Sequence, residues 1–198
     1  MNSGRAGTND AIDKSTKLIP PANDMLPRLF SLRPAGPADI PHLAALGVAL
    51  AAQHGSYDPL RFVVAGDPLL TFTEFFIEEL ENPDAAIVVA EEGSTILGYA
   101  FARLEPPSLV DLTDSAYWLH DLFLLPSARG RGWGRALVHS IGETVRARGG
   151  RKLLLSVSPK NTVATRTFQT LGFRPTMVEM QLDLTANPSP GEHDNEKI

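Results

Sequence analysis

Residues 122–138, LFLLPSARGRGWGRALV, constrain the fold more than any other stretch of this chain. An apolar run ends at Pro126, three arginines and three glycines fill positions 129–135, and a helix-like pattern follows to about Arg148. Gly149 and Gly150 then stop the helix, and RKLLLSVS reads as another strand. A strand, a helix and a second strand in succession describe a crossover between parallel neighbours.

The rest of the pattern is mixed. LFSLRPA reads as an opening strand, and Asp39 stands at the N-cap position of a helix carrying Ile40, Leu43, Leu46, Gly47 and Leu50 at helical spacing. LLTFTEFFIEELEN predicts a second helix, with aromatics that belong to the core. AAIVVAEE and TILGYAFARLE, joined across Gly93 and Ser94, predict an antiparallel hairpin, and AYWLHDLFLL a further strand. NTVATRTFQTLG predicts a short helix and TMVEMQLDL a final strand. Residues 28–185 are expected to form one domain, with polar flexible tails at 1–27 and 186–198.

Charge separates the function classes. The 198 residues carry a net charge of −5, which argues against a general nucleic-acid partner. Residues 129–152 nevertheless hold a local balance of +6, leaving −11 to the remainder. Such segregation suits either a phosphate site or a solvated helix face. No apolar run approaches ~18 residues, so a membrane span is not expected. The chain has no cysteine, which removes disulfides and a thiol nucleophile, and the histidines show no metal-ligand spacing. A cytoplasmic enzyme or binding domain is the expectation.

The turn itself suggests an anion. Amides in the first turn of a helix lack intrahelical partners and sit at the positive end of its dipole. Glycines let a pyrophosphate approach them, and arginines add forked donors. The spacing Gly130-x-Gly132-x-Gly134 fits neither the dinucleotide fingerprint nor the phosphate loop of nucleotide hydrolases.

Arg129–Gly134 matches the Gln/Arg-x-x-Gly-x-Gly/Ala signature of the GNAT superfamily of acetyl-CoA-dependent N-acetyltransferases, which the chain resembles over about residues 30–184. Asn161, Ala164, Gly172 and Phe173 match a second family element, and LRPAGPADIPHLAAL looks like its opening strand and helix. The resemblance implies a mixed, mostly antiparallel sheet of 6–7 strands flanked by about four helices. It also implies a splayed parallel strand pair forming an acetyl-CoA cleft. By position, the backbone of Leu122, Phe123 and Leu124 would hold the pantetheine. Amides of Arg129, Gly130, Arg131, Gly132, Trp133, Gly134 and Arg135 would cradle the pyrophosphate, and Asn161 would lie near the thioester arm. Phe168 takes the cofactor-side position where the family usually carries an acid tyrosine, and it has no proton to give. Water, the amine's own proton, Ser158, Tyr117 or Thr167 would then serve.

The candidate catalytic residues are His120 and Asp121. Strand alternation puts Trp118, His120 and Leu122 on one face, in positions resembling those of a family glutamate, with Asp121 on the other. An imidazole with pKa ~6.5 can accept a proton near neutrality. The expected reaction is acetyl transfer to a primary amine of a small molecule (a polyamine or another cation) or a peptide. The alternative is a non-catalytic acetyl-CoA-binding domain. Acidic residues at 78–92 suit a cationic acceptor or plain solvated surface, and His54, Tyr57 and Asp58 lie in a loop that lines the acceptor pocket in the resembling family. A homodimer enters only because that family commonly forms them.

Overall fold

The structure, a computed structural model, describes residues 30–110 and 112–184. Five strands, β1 (Phe30–Pro34), β2 (Ala85–Glu92), β3 (Thr95–Glu105), β4 (Ala116–Leu124) and β5 (Leu153–Leu154), form one sheet in that order. β1 to β4 are antiparallel neighbours, and β5 joins β4 in parallel. Helices α1 (Ile40–Tyr57) and α2 (Pro68–Glu81) cover one face, while α3 (Trp133–Ala147) and the short α4 (Thr162–Thr170) cover the other. Strand alternation sorts the core accordingly. Val88, Ala90, Ala100 and Ala102 turn towards α3, whereas Ile87, Val89, Tyr99 and Phe101 turn towards α1 and α2.

Local chemistry sets the helix starts. Asp67 caps α2 by accepting from the amides of Leu69 (2.9 Å) and Leu70 (3.4 Å), with Pro68 in the first helical position. Asp39 stands at the predicted N-cap of α1, yet its side chain makes no capping bond. Its buried carboxylate accepts instead from Arg33 at 2.7 and 2.9 Å and from the Gly36 amide at 2.8 Å. A charge taken out of water needs a charged partner more than a helix end needs a cap. Arg33 also reaches Glu91 (2.9 Å), so β1, β2 and the start of α1 are clasped together. α1 and α2 pack closely at Gly47, where a Cβ would stand 2.6 Å from the Phe72 ring.

The described sheet has five strands rather than the expected six to seven. TMVEMQLDL is irregular, and Met177, Val178, Met180 and Leu182 are largely exposed. Alternating side chains make a strand only where a neighbour accepts its hydrogen bonds and a face takes its apolar side. This segment meets α1 and α2 through their connecting loop instead, by an ion pair of Glu179 with Arg61 (2.5 Å). RKLLLSVS contracts to the two residues of β5. The expected tails, 1–27 and 186–198, lie outside the described residues. No helix among the described residues is long and apolar enough to cross a membrane.

Candidate active site

β4 carries the decisive irregularity. Phe101 pairs with Asp121 and Ala102 with Leu119, so His120 is an extra residue without a partner on β3. A bulge of this kind reverses the alternation beyond it. His120 stacks on Phe101 with ring centres 5.4 Å apart, and Asp121 accepts from the Tyr99 hydroxyl (2.8 Å). Both therefore point to the α1–α2 face, while Leu122 packs with the α3-side cluster. The expectation that His120 and Leu122 share a face, with Asp121 opposite, is corrected by that one inserted residue.

The bulge separates the two acid–base candidates. The His120 Nε2–H donates to Glu105 (2.9 Å), which also accepts from Arg103 (2.9 Å). Arg103 in turn pairs with the buried Glu79. Asp121 lies deeper, against the fully buried Tyr99. Burial raises the Asp121 carboxyl above its ordinary value, although the Tyr99 hydrogen bond and the nearby His120 pull the other way. Burial, together with Asp121, pushes the Tyr99 phenol well up, so it stays a donor. Tyr99 is the residue that sequence reasoning missed. Its signal was a tyrosine in the middle of the apolar run ILGYAFA.

Asp121 also forms part of the lining of a pocket of about 230 Å³. Leu50, Ala51 and His54 come from α1, Phe72 from α2, and Arg61 to Val64 from the loop between them. His54 packs on Phe62, ring centres 4.8 Å apart, and burial lowers its pKa. His54, expected in a loop, stands with Tyr57 in the last turns of α1 and joins this pocket, and His120 is not part of its lining.

On the other side of β4 the sheet opens. β4 and β5 pair only at Tyr117 with Leu153 and Trp118 with Leu154. Past that point β4 runs on to Leu124 against β3 while residues 155–158 leave the sheet. The result is a V-shaped gap with Leu122, Phe123 and Leu124 on one side. At its end lies the start of α3, where Gly132 takes φ +84° and Gly130 φ +74°, a region that suits glycine. The first helical hydrogen bond there is from the Ala136 amide to the Gly132 carbonyl. It leaves the amides of Trp133, Gly134 and Arg135 without intrahelical acceptors. A Cβ on Gly130 or Gly132 would meet only open space. The cradle therefore fits a pyrophosphate.

The side chains around it divide their duties. Arg129 donates to the Leu124 carbonyl (2.9 Å) and to Gln53 (2.8 Å), tying the turn to β4 and α1. Arg131 pairs with Glu92 (2.9 Å) and lies over the Trp133 ring, whose indole is buried against Phe30. Arg135 reaches Thr170 of α4 (2.7 Å). Trp133 can therefore offer an anion its amide but not its ring. Asn161 caps α4 by accepting from the Ala164 amide (3.1 Å), which keeps its amide NH₂ free of that duty. Phe168 is buried in the α3-side core, edge-on to Phe173. Of the hydroxyls considered as substitutes, Tyr117 is buried and Thr167 donates to Val163 within its helix (2.9 Å). Ser158 lies beside the gap, its oxygen accepting from the Lys160 amide (3.3 Å).

A splayed β4–β5 pair with a glycine-rich helix start at its end defines a class. The chain belongs to the acetyltransferase (GNAT) family, whose pattern it matches over residues 56–173. Among individual proteins, an uncharacterized N-acetyltransferase of Mycobacterium tuberculosis is 33% identical over 99 residues, 50% of this chain and 59% of the relative. An aminoglycoside N(6')-acetyltransferase type 1 of Salmonella typhimurium is 30% identical over 101 residues, 50% of this chain and 69% of the relative. The chain thus spans less than two thirds of the M. tuberculosis relative it matches. A predicted acetyltransferase from Clostridium acetobutylicum, solved with acetyl-CoA, has the same fold, with a TM-score of 0.64 at 20% identity over 81% of this chain and all of that one.

Proposed function

We propose that the protein transfers the acetyl group of acetyl-CoA to a primary amine, with both substrates held at once on either side of β4. The observation that carries this reading is Asp121, a half-buried carboxylate in a pocket, immediately before the strand residues that border the gap. Residues 28–185 form the catalytic domain in this reading. The backbone of Leu122 to Leu124 orients the pantetheine, and the amides from Arg129 to Arg135 hold the pyrophosphate. The Asn161 side-chain amide faces the thioester arm.

Acetyl-CoA supplies an activated acyl group on a thiol of pKa ~8.5, a leaving group that needs little acid help. An incoming ammonium has a pKa ~10 and must lose a proton before its nitrogen can attack. Asp121 takes that proton, and its raised pKa brings it closer to the amine's. The nitrogen then bonds to the acetyl carbon as the carbon–sulfur bond breaks. The nitrogen's second proton goes to the departing sulfur directly, or through water or Ser158. Phe168 takes no part in proton transfer and packs the core behind the gap.

Thiol release from acetyl-CoA in the presence of amines tests this, and the cysteine-free chain adds no background. Asp121→Asn is expected to lower turnover ~10²–10⁴-fold, whereas His120→Ala lowers it less than tenfold. The reverse order would make His120 the base. Phe168 in place of the usual tyrosine supports a second reading, in which the chain binds acetyl-CoA without turnover. Binding of acetyl-CoA with no thiol release from any amine would favour that reading.

A further inference from the structure

The pocket over Asp121 also bears on the identity of the acceptor, a step that rests on the acetyl-transfer reading of the same site. Its volume of about 230 Å³ exceeds the roughly 150 Å³ that accommodates benzene in an apolar cavity. One ring with a short chain fills it. Six of its nine lining residues, Leu50, Ala51, Phe62, Val63, Val64 and Phe72, carry apolar side chains, and His54, Arg61 and Asp121 supply the polar part. Asp121 is the one carboxylate among the lining residues.

The other acids of this face are committed elsewhere. Glu79 and Glu105 are engaged by Arg103, and Glu105 by His120 as well. Asp58 accepts from the amides of Leu60 (3.0 Å) and Arg61 (3.2 Å). Glu78 and Glu81 are exposed on α2 and do not line the pocket. The remaining polar groups favour a single charge. Arg61 brings a guanidinium to the lining. His54 is held towards its neutral form by burial and does not compete with an ammonium for Asp121. Glu179 is engaged by Arg61, so a second ammonium would meet apolar side chains and an already paired carboxylate, which is costly.

We infer that the acceptor is a small primary amine bearing one positive charge on a compact apolar body, of the arylalkylamine kind, rather than a polyamine or an aminoglycoside. Asp121 takes the ammonium, and Phe62, Val63 and Phe72 flank the apolar part. Of the acidic stretch of α2, which suggests a polycation when read as sequence, Glu78 and Glu81 are solvated and Glu79 is buried against Arg103.

The test uses the full chain with phenylethylamine, spermidine and kanamycin, following thiol release and measuring amine binding by calorimetry in the presence of CoA. The expected result is a kcat/KM at least tenfold higher for phenylethylamine than for either polycation. Ala51→Phe, which fills the pocket, should raise the phenylethylamine KM at least tenfold and leave acetyl-CoA affinity unchanged. Val64→Asp, at an exposed position, should move preference towards diamines. Turnover of spermidine or kanamycin equal to or above that of phenylethylamine overturns the inference and leaves acetyl transfer standing. Phenylethylamine binding without thiol release upholds the pocket's preference and overturns the catalytic reading. Failure of phenylethylamine to bind or react, with acetyl-CoA bound, overturns the inference directly.

Discussion

At Asp121 a single carboxylate links stability to chemistry. Burial raises its pKa in the folded protein above the unfolded value. The folded state therefore holds the proton more tightly, and stability falls as pH rises from the unfolded value through the folded one. Asn keeps an oxygen for the Tyr99 hydroxyl without the charge. Asp121→Asn is thus expected to melt no lower than the parent at about pH 8, with any advantage shrinking towards about pH 3, where the parent carboxyl is mostly protonated in both states. Thermal melts at the two pH values check this. A variant much less stable at the higher pH would mean that the carboxylate's charge is compensated by partners other than Tyr99. His120, one residue away, differs because the bulge hands it to Glu105 on an exposed edge. Neighbours in sequence occupy different electrostatic environments.

Among the elements, the α1–α2 pair builds the acceptor side, and its spacing is set at Gly47. A Cβ there would stand 2.6 Å from Phe72, a ring that also lines the pocket. Gly47→Val is expected to cost about 1–3 kcal/mol by overpacking, read from urea denaturation. The displaced ring should raise the acceptor KM while acetyl-CoA affinity holds, because the gap lies on the far side of β4. Unchanged stability would mean that the helices part freely. The clasp of Arg33 with Asp39 and Glu91 acts at the same scale. The Arg33 hydrogen bonds hold the Asp39 carboxyl below its ordinary value, so this contribution is present above the unfolded pKa and lost as pH falls through the folded one.

For the whole molecule, the sheet is closed by pairing from β1 to β4 and left open between β4 and β5, so a ligand in the gap would complete it. A ligand that binds only the folded state at 100 times its Kd adds about 2.7 kcal/mol. For a chain of this size that raises the melting temperature by about 5–10 °C. Acetyl-CoA at such an excess is expected to produce this shift. Gly132→Glu, which puts a carboxylate at the cradle and a side chain at φ +84°, should abolish it. An equal shift in the variant would place the pyrophosphate elsewhere.

Much of this architecture is legible in order along the chain. The hairpin of β2 and β3, the strand–turn–helix of 116–148 and the glycine turn each depend on residues within a few positions of one another. Periodicity and backbone preference therefore reveal them, and the arginine-flanked glycines point to an anion before any fold is known. Other features arise from partners far apart in sequence. The bulge at His120 depends on how β3 and β4 register. Tyr99 and Asp121 meet across that register, 22 positions apart. Asp39 leaves its cap for Arg33, and TMVEMQLDL stays irregular where no described strand pairs with it. Sequence by itself determined most of the elements and the glycine-rich start of α3, because both are local. Only tertiary structure decided which of two adjacent acid–base groups enters the pocket, because register and burial are properties of the assembled sheet.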